Sequence, residues 1–121
     1  KGKLVVGAET MPFIQTLKPI LGDWSVSLGG TSGTLGVSTQ RKVFKADDLD
    51  LKLAPIICWE NEFSNYATAY SRQGANLLAV ITNDGWWGNT PGHIQHLHFS
   101  GLRAIEQGKY VVRSANSDYL F

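Results

Sequence analysis

The clearest apolar segment of the chain runs from residue 51 to residue 57 and ends directly before Cys58. Its length and its aliphatic residues predict a strand, and the polar segment 47–50 before it predicts a turn. Upstream of that turn, residues 39–45 alternate between apolar and polar positions, which predicts a further strand. A strand is therefore expected to lead directly into Cys58.

Beyond Cys58 the pattern changes from the spacing of a helix to that of a buried strand. Gly74 is a natural helix stop, and the apolar positions before it fall at helical spacing: Phe63, Tyr66, Ala67 and Tyr70. The segment 76–82 is almost wholly apolar, which is typical of a strand covered on both faces. We therefore expect an amphipathic helix followed by a buried strand.

A second helix and a last strand complete the pattern. Residues 83–85 turn the chain, Thr90 and Pro91 supply an N-cap and a first-turn proline, and Gly108 closes the helix. The residues expected on the inner side of this helix are Ile94, Leu97, Gly101, Leu102 and Ile105. The segment 110–115 then predicts a final strand.

The first third of the chain is less regular. Residues 3–6 predict a short strand, and Pro12 and Pro19 predict irregular structure after it. The glycine-rich segment 29–36 lacks the Gly-Lys-Ser/Thr ending of a P-loop, which favours a loop over a nucleotide site. Strand, helix, strand, helix, strand is the α/β pattern. Because the chain starts on one predicted strand and stops soon after another, we expect it to be part of a longer protein.

Composition narrows the class of protein but names no partner. With 121 residues, of which 43% are hydrophobic, the chain has the size of one domain with a core. Its 11 basic and 10 acidic residues give no electrostatic signal for nucleic acid. No uninterrupted apolar stretch approaches the ~20 residues that a membrane-spanning helix needs. A single cysteine cannot form an internal disulfide, so cysteine usage does not fix the compartment.

Cys58 is the first candidate catalytic residue, because it lies between the end of a predicted strand and the start of a predicted helix. In α/β sheets, ligands collect beyond the carboxyl ends of the strands. Backbone N–H groups at the start of a helix favour a thiolate, and they can bind an oxyanion that forms on a carbonyl. A lone buried cysteine is also often a small packing residue, so residue type alone leaves both interpretations open.

Two sets of residues could assist such a thiol. Histidine is the usual partner, and His93, His96 and His98 cluster on the second predicted helix. A Cys–His dyad and a zinc site are the functional alternatives for them, although no third ligand follows at metal spacing and packing or helix-rim positions are commoner. The other arrangement is a carboxylate that takes the proton and a lysine that helps to bind the oxyanion, for which Lys1 and Glu9 are available.

The residues around Cys58 carry a family resemblance. Residues 55–60, Pro-Ile-Ile-Cys-Trp-Glu, resemble the nucleophile motif of the nitrilase, or carbon–nitrogen hydrolase, superfamily, and residues 1–4, Lys-Gly-Lys-Leu, resemble its lysine motif. Further segments are similar to the apolipoprotein N-acyltransferase family within it: 7–12, 82–88, 95–96, 102–106 and 113–116. The likeness covers nearly the whole chain. It implies that residues 1–121 are the second half of a nitrilase-type α-β-β-α sandwich, an α/β fold.

This resemblance implies a two-step acyl transfer. Cys58 would attack an acyl ester of a phospholipid to give a thioester, and the α-amine of an apolipoprotein diacylglyceryl-cysteine would then take the acyl group. Lys1 would hold the oxyanion together with a backbone N–H near Trp59. Glu60 and Glu9 match further acidic residues of the family. The family's general base is a glutamate that precedes the lysine motif, so we expect it outside this chain.

The resemblance also implies the setting of the reaction. Trp86 and Trp87, together with Trp59, would line the acyl or head-group entrance, with core packing or a loop lid as the alternative for Trp86 and Trp87. No cofactor, metal or nucleic acid is expected. The parent protein would reach the bacterial inner membrane through parts outside this chain, with this domain on the periplasmic side. A soluble carbon–nitrogen hydrolase that uses water, or an inactive fragment that lacks the general base, are the alternatives.

Overall fold

The structure of the chain, a computed structural model, describes residues 2–3 and 37–116. The chain divides into two compact units, Lys1–Thr39 and Gln40–Phe121, and the description concerns almost wholly the second. The predicted irregular region near Pro12 and Pro19, the predicted loop at 29–36, and the candidate residues Lys1 and Glu9 lie outside the described residues. Of the predicted strand at 3–6, only the first residue is described, and it forms a bend.

A four-stranded mixed sheet with two helices forms the described part of the second unit. In chain order, its elements are β1 (Phe44–Ala46), β2 (Leu51–Ile57), α1 (Ser64–Arg72), β3 (Leu77–Thr82), α2 (Gly92–Gln107) and β4 (Tyr110–Ala115). The strand order is β1-β2-β3-β4, with β1 antiparallel to β2 and the other three strands parallel. Each parallel connection passes through one helix, which confirms the predicted α/β pattern.

One face of the sheet packs against α1 to form the core. Alternate residues of β2 and β3 point to this face, because side chains alternate along a strand. Buried residues from both strands meet buried residues of α1 and its C-terminal loop: Ala54, Ile56, Leu78, Val80, Tyr66, Ala67, Tyr70 and Ala75. Phe63 is partly buried against this cluster. The predicted inner face of the first helix is therefore confirmed.

The other face of β3 differs from the prediction. The expectation that this strand is covered on both faces is wrong for Ile81, whose side chain is 55% exposed. Its neighbours in register on β2 and β4 are Ile57 and Ser114, and Ile57 is exposed as well. The apolar run 76–82 thus predicts the strand correctly, whereas only alternate positions of that strand are fully buried.

The strand predicted over residues 39–45 is much shorter than expected, because only Phe44 to Ala46 pair with β2. The N–H and C=O of Lys52 both bond towards Asn76, so the backbone groups of the odd-numbered residues of β2 point towards β1. Continuing the register would place Pro55 opposite residue 42, and proline has no N–H to donate. The ladder therefore ends before residue 42 is reached.

The inner face of α2 is polar, which corrects the sequence prediction. The apolar residues expected to face inwards are largely exposed: Ile94, Leu97, Leu102 and Ile105. The buried residues of this helix are instead His96, Ser100 and Arg103. Their spacing of four and three residues places all three side chains on one side of the helix. That side packs on the segment around Cys58, where unpaired polar groups have to be satisfied.

The difference between the two faces of the sheet predicts the cost of one substitution made at two positions. Ile56→Ala should lower the free energy of unfolding by about 2–5 kcal/mol, because it leaves a cavity in a fully buried site. Ile81→Ala, the matched control on the neighbouring strand, should cost about 1 kcal/mol or less. Urea denaturation of the two variants measures both values. Equal losses would contradict the assignment of the core to one face.

Candidate active site around Cys58

Cys58 lies at a sharp turn where β2 ends. A 3-10 helix, Cys58–Glu62, follows the strand at once, and we call this segment the elbow turn. Cys58 has a φ of 52°, in the left-handed region, whereas Ile57 before it is extended. A residue other than glycine in that region costs about 1–3 kcal/mol, and such strain is concentrated at functional sites. The thiol is free and half-buried at the carboxyl end of a parallel strand.

Glu60 holds the entry to the elbow turn. Its side chain is 1% exposed. One carboxylate oxygen, Oε2, accepts the N–H of Ile57 at 2.8 Å, and the other, Oε1, accepts the hydroxyl of Tyr66 at 3.0 Å. The N–H of Ile57 belongs to the side of β2 that faces β1, which has already ended at this level. The carboxylate therefore replaces a missing strand partner.

The environment of Tyr66 keeps its hydroxyl in the donor form. Burial, a hydrogen bond with Tyr70 and the nearby Glu60 raise the pKa of Tyr66 well above its ordinary value. The ring also lies 4.4 Å beneath the guanidinium of Arg41 and edge-on to the ring of Tyr70. Tyr66 thus anchors Glu60 from the core side, and the carboxylate has a bonded partner on each oxygen.

His96 contacts the first residue of the elbow turn. Its Nε2 lies 3.3 Å from the backbone carbonyl oxygen of Cys58, and its Nδ1 lies 2.8 Å from Oδ1 of Asp84. Nη2 of Arg113 also approaches Nδ1, at 3.5 Å. Because the contact with Asp84 is shorter, we assign Nδ1 as a donor to the Asp84 carboxylate. Both ring nitrogens of His96 thus lie within hydrogen-bonding distance of an oxygen atom, Nδ1 of Asp84 and Nε2 of the Cys58 carbonyl.

Asp84 is the centre of a buried charged network. Thr82 donates its hydroxyl to Oδ1 at 3.1 Å, and Arg113 donates Nη2 to Oδ2. Burial by itself raises the pKa of Asp84, but the hydrogen bonds from Arg113 and His96 outweigh it and hold that pKa below its ordinary value. Asp84 is therefore ionised at neutral pH, and its charge is balanced inside the protein.

The rest of the polar face of α2 contacts the end of the elbow turn. Nδ2 of Asn61, a fully buried residue, donates to the hydroxyl of Ser100 at 3.1 Å. Arg103 donates Nη1 to the carbonyl oxygen of Glu62 at 3.3 Å and Nη2 to Glu106 at 2.9 Å. Burial raises the pKa of Glu62, while the positive charge of His96 opposes the rise. Each buried polar residue of α2 thus has a partner in the elbow turn.

The predicted substrate-binding tryptophans occupy different settings. Trp59 is half-buried in the elbow turn, with its ring edge-on to Phe63 at 5.9 Å between centroids. Trp87 is 40% exposed, and its ring lies so close to Gly92 that a Cβ there would overlap it. Trp86 belongs to the 3-10 helix Asp84–Trp87, and its side chain lies outside the described part. The assignment of all three tryptophans to a substrate entrance stays a prediction.

The structure thus brings two of the predicted residues, Cys58 and Glu60, into one turn, and it adds a network that the sequence interpretation missed. The segments that resemble the acyltransferase family contain Asp84, His96 and Arg113. The spacing of these residues along the sequence does not show that their side chains are in contact. His96 is buried, and its Nε2 lies against the backbone carbonyl oxygen of Cys58. Among residues 2–3 and 37–116, no cluster of histidine, cysteine and acidic residues could hold a metal ion.

The comparisons with known proteins agree with this geometry. The sequence profile of the carbon–nitrogen hydrolases matches residues 3–118, and the chain belongs to that family. Its fold is that of the nitrilase superfamily: Nit3 of Saccharomyces cerevisiae, a member of branch 10, matches with a TM-score of 0.58 and 22% identity. That match covers 72% of this chain and 30% of the yeast protein. The expected fold class is therefore confirmed.

More similar in sequence are apolipoprotein N-acyltransferases. The chain is 36% identical over 118 residues to that of Rhizobium rhizogenes, which covers 97% of this chain and 21% of the relative. It is 32% identical over 116 residues to that of Chlorobaculum tepidum, covering 96% of the chain and 21% of the relative. The chain thus spans about a fifth of the length of these relatives. None of the helices in the described segments is long and apolar enough to cross a membrane.

The network around Asp84 predicts how stability depends on pH. Because the pKa of Asp84 is depressed in the folded protein, its contribution is fully present above the ordinary carboxyl pKa and is lost as pH falls through the depressed value. Asp84→Asn should lower the free energy of unfolding at pH 7 by about 3–5 kcal/mol, because it breaks a buried ion pair. The remaining stability should fall less steeply between about pH 5 and pH 2 than in the unaltered protein.

Denaturant titrations across that pH range measure both effects. Asp48→Asn, the same change at an exposed site, is the control and should alter neither the stability at pH 7 nor the acid limb. An unchanged acid limb in Asp84→Asn would show that Asp84 is not ionised in the folded network.

Proposed function

We propose that the parent protein is an apolipoprotein N-acyltransferase in which Cys58 carries the acyl group. The thiolate of Cys58 attacks the carbonyl carbon of a phospholipid ester, the thioester forms, and the lysophospholipid leaves as an alcohol after taking up a proton. The α-amine of an apolipoprotein diacylglyceryl-cysteine then attacks the thioester, forms an amide and releases the thiol. Two easier displacements replace one difficult transfer.

The elbow turn is the observation that carries this proposal. A cysteine in a left-handed conformation, at the carboxyl end of a parallel strand, resembles the strained strand-to-helix turn on which other hydrolases expose a nucleophile. A packing cysteine would gain nothing from that conformation. The sequence similarity to apolipoprotein N-acyltransferases over nearly all of the chain supports the same assignment.

The supporting residues keep the roles that the resemblance implies. Lys1 binds the oxyanion together with a backbone N–H near Trp59, and Glu9 stands among the further acidic residues. Glu60 acts on the reaction by fixing the backbone before Cys58, because both of its oxygens already accept hydrogen bonds. The resemblance assigns the proton of the thiol to a glutamate that precedes the lysine motif.

The lipid side of the reaction is part of the same proposal. The exposed ring of Trp87 suits a boundary between acyl chains and water, and we place Trp86 beside it at the entrance. The parent protein holds this domain on the periplasmic side of the inner membrane, where the phospholipid donor and the apolipoprotein acceptor meet. A carbon–nitrogen hydrolase that uses water in the second step is the competing function, supported by the family of the chain.

Replacement of Cys58 tests the nucleophile. In the full-length parent protein, Cys58→Ala and Cys58→Ser should form no acyl thioester with phospholipid, since alanine has no nucleophile and serine lacks the reactivity of a thiolate. Intact-mass analysis detects the adduct on the unaltered protein. An adduct that survives in Cys58→Ala would place the nucleophile elsewhere. Addition of a diacylglyceryl-peptide should convert the adduct to an N-acyl peptide, whereas release of free fatty acid alone would favour the hydrolase.

Replacement of Lys1 tests the oxyanion site. Lys1→Ala should slow formation of the thioester by about 10²- to 10³-fold with the fold retained, as expected for the loss of one oxyanion partner. Lys3→Ala is the matched control at the neighbouring lysine and should acylate at nearly the normal rate. Rapid-quench measurements of the adduct give both rates. If the two variants exchanged behaviour, the oxyanion lysine would be Lys3.

A further inference from the structure

We propose that His96 is a positioning residue for the oxyanion site, acting through the peptide between Cys58 and Trp59. This inference rests on the proposed function, because it concerns the same acyl transfer. One peptide unit contains both the carbonyl of Cys58 and the N–H of Trp59. His96 lies 3.3 Å from that carbonyl oxygen, on the side of the peptide opposite to the N–H.

A hydrogen bond at the carbonyl affects the N–H of the same peptide. The peptide is planar, so holding its carbonyl fixes the direction in which its N–H points. Accepting a hydrogen bond also polarises the peptide, and a polarised peptide is a stronger donor at its N–H. His96 would therefore both aim and strengthen the group that we assign to the oxyanion, without touching the substrate.

The support behind His96 comes from two neighbouring strands, β3 and β4. Asp84 follows β3 and holds Nδ1 of His96, while Arg113 on β4 holds Asp84. Thr82 at the end of β3 adds a further hydrogen bond to Asp84. His96 is 3% exposed, so water does not compete for its ring nitrogens. This chain of contacts fixes the imidazole in the orientation that the carbonyl of Cys58 requires.

The geometry does not fit the two simpler roles for a buried histidine. A buried histidine that only packs would also need hydrogen-bond partners, but those partners could lie anywhere in the core, whereas Nε2 of His96 lies against the carbonyl oxygen of the proposed nucleophile itself. A general base needs a nitrogen lone pair directed at the thiol, whereas Nε2 is directed at a carbonyl oxygen. Asp84 lies against Nδ1 of the ring, and Arg113 is paired with that carboxylate.

Two substitutions of His96 separate the contact to Cys58 from the contact to Asp84. The amide nitrogen of glutamine can take the place of Nε2 and still donate to the carbonyl of Cys58. The amide nitrogen of asparagine takes the place of Nδ1, so it keeps Asp84 and loses Cys58. We expect His96→Asn to lower kcat for acylation by about 10- to 100-fold with little change in KM, less than the loss of an oxyanion donor itself. His96→Gln should restore most of this loss.

The test uses the full-length parent protein and phospholipid vesicles, with His98→Asn as the control, the same substitution at an exposed position of α2. Thermal unfolding identifies a temperature at which all variants are folded. A second readout is the infrared carbonyl stretch of a ¹³C-labelled acyl thioester on Cys58. A weaker oxyanion site polarises that carbonyl less, so the stretch should move to higher frequency in His96→Asn and stay unchanged in His98→Asn.

The outcomes distinguish the inference from the proposed function. If the unaltered protein forms no thioester, the proposed function fails, whatever His96 does. If it forms the thioester and His96→Asn acylates at the normal rate with an unshifted carbonyl stretch, the inference is overturned and the function stands. Equal losses in His96→Asn and His96→Gln, with no shift of the stretch, would also overturn it, because they indicate a purely structural role.

Discussion

The constraint on which the rest of this structure depends is the left-handed backbone of Cys58. A strand that turns sharply at one residue withdraws that residue's peptide groups from the sheet, and buried peptide groups without partners cost free energy. Two side chains provide the missing partners, Glu60 for the N–H before Cys58 and His96 for the carbonyl of Cys58. The strain at Cys58 persists because these contacts, and the packing behind them, over-determine the turn.

This constraint explains why α2 packs with a polar face inwards. A helix that covered the elbow turn with leucine or isoleucine would remove the partners of three groups: the carbonyls of Cys58 and Glu62 and the amide nitrogen of Asn61. His96, Ser100 and Arg103 supply partners to all three groups. The same helix therefore leaves its apolar residues on the outside. Polar satisfaction outweighs apolar burial here, because an unpaired buried polar group costs about 1–3 kcal/mol.

The helices and strands could be predicted from local periodicity. The candidate site could not, because it is formed by contacts between residues that are distant in the sequence. The spacing of Phe63, Tyr66 and Tyr70 specifies both α1 and its buried face. The spacing in α2 gives a helix but the wrong face, because periodicity cannot show that the surface it meets is polar. The short β1 depends on Pro55, which lies on the partner strand. His96 and Asp84 stand 12 residues apart, and His96 and Cys58 stand 38 apart, so only the folded chain brings them together.

The contacts of Glu60 and His96 with the elbow turn also bear on which group can accept the proton of the Cys58 thiol. Glu60 has a bonded partner on each carboxylate oxygen, and His96 has one on each ring nitrogen. A group that accepts the thiol proton must be able to change its protonation state during each cycle, and a change at either residue would release the backbone that it holds. Under the proposed function, Glu60 and His96 therefore position Cys58 and its peptide, and the thiol proton would go to a carboxylate that carries no part of the turn. This separation agrees with the resemblance, which assigns the general base to a glutamate that precedes the lysine motif.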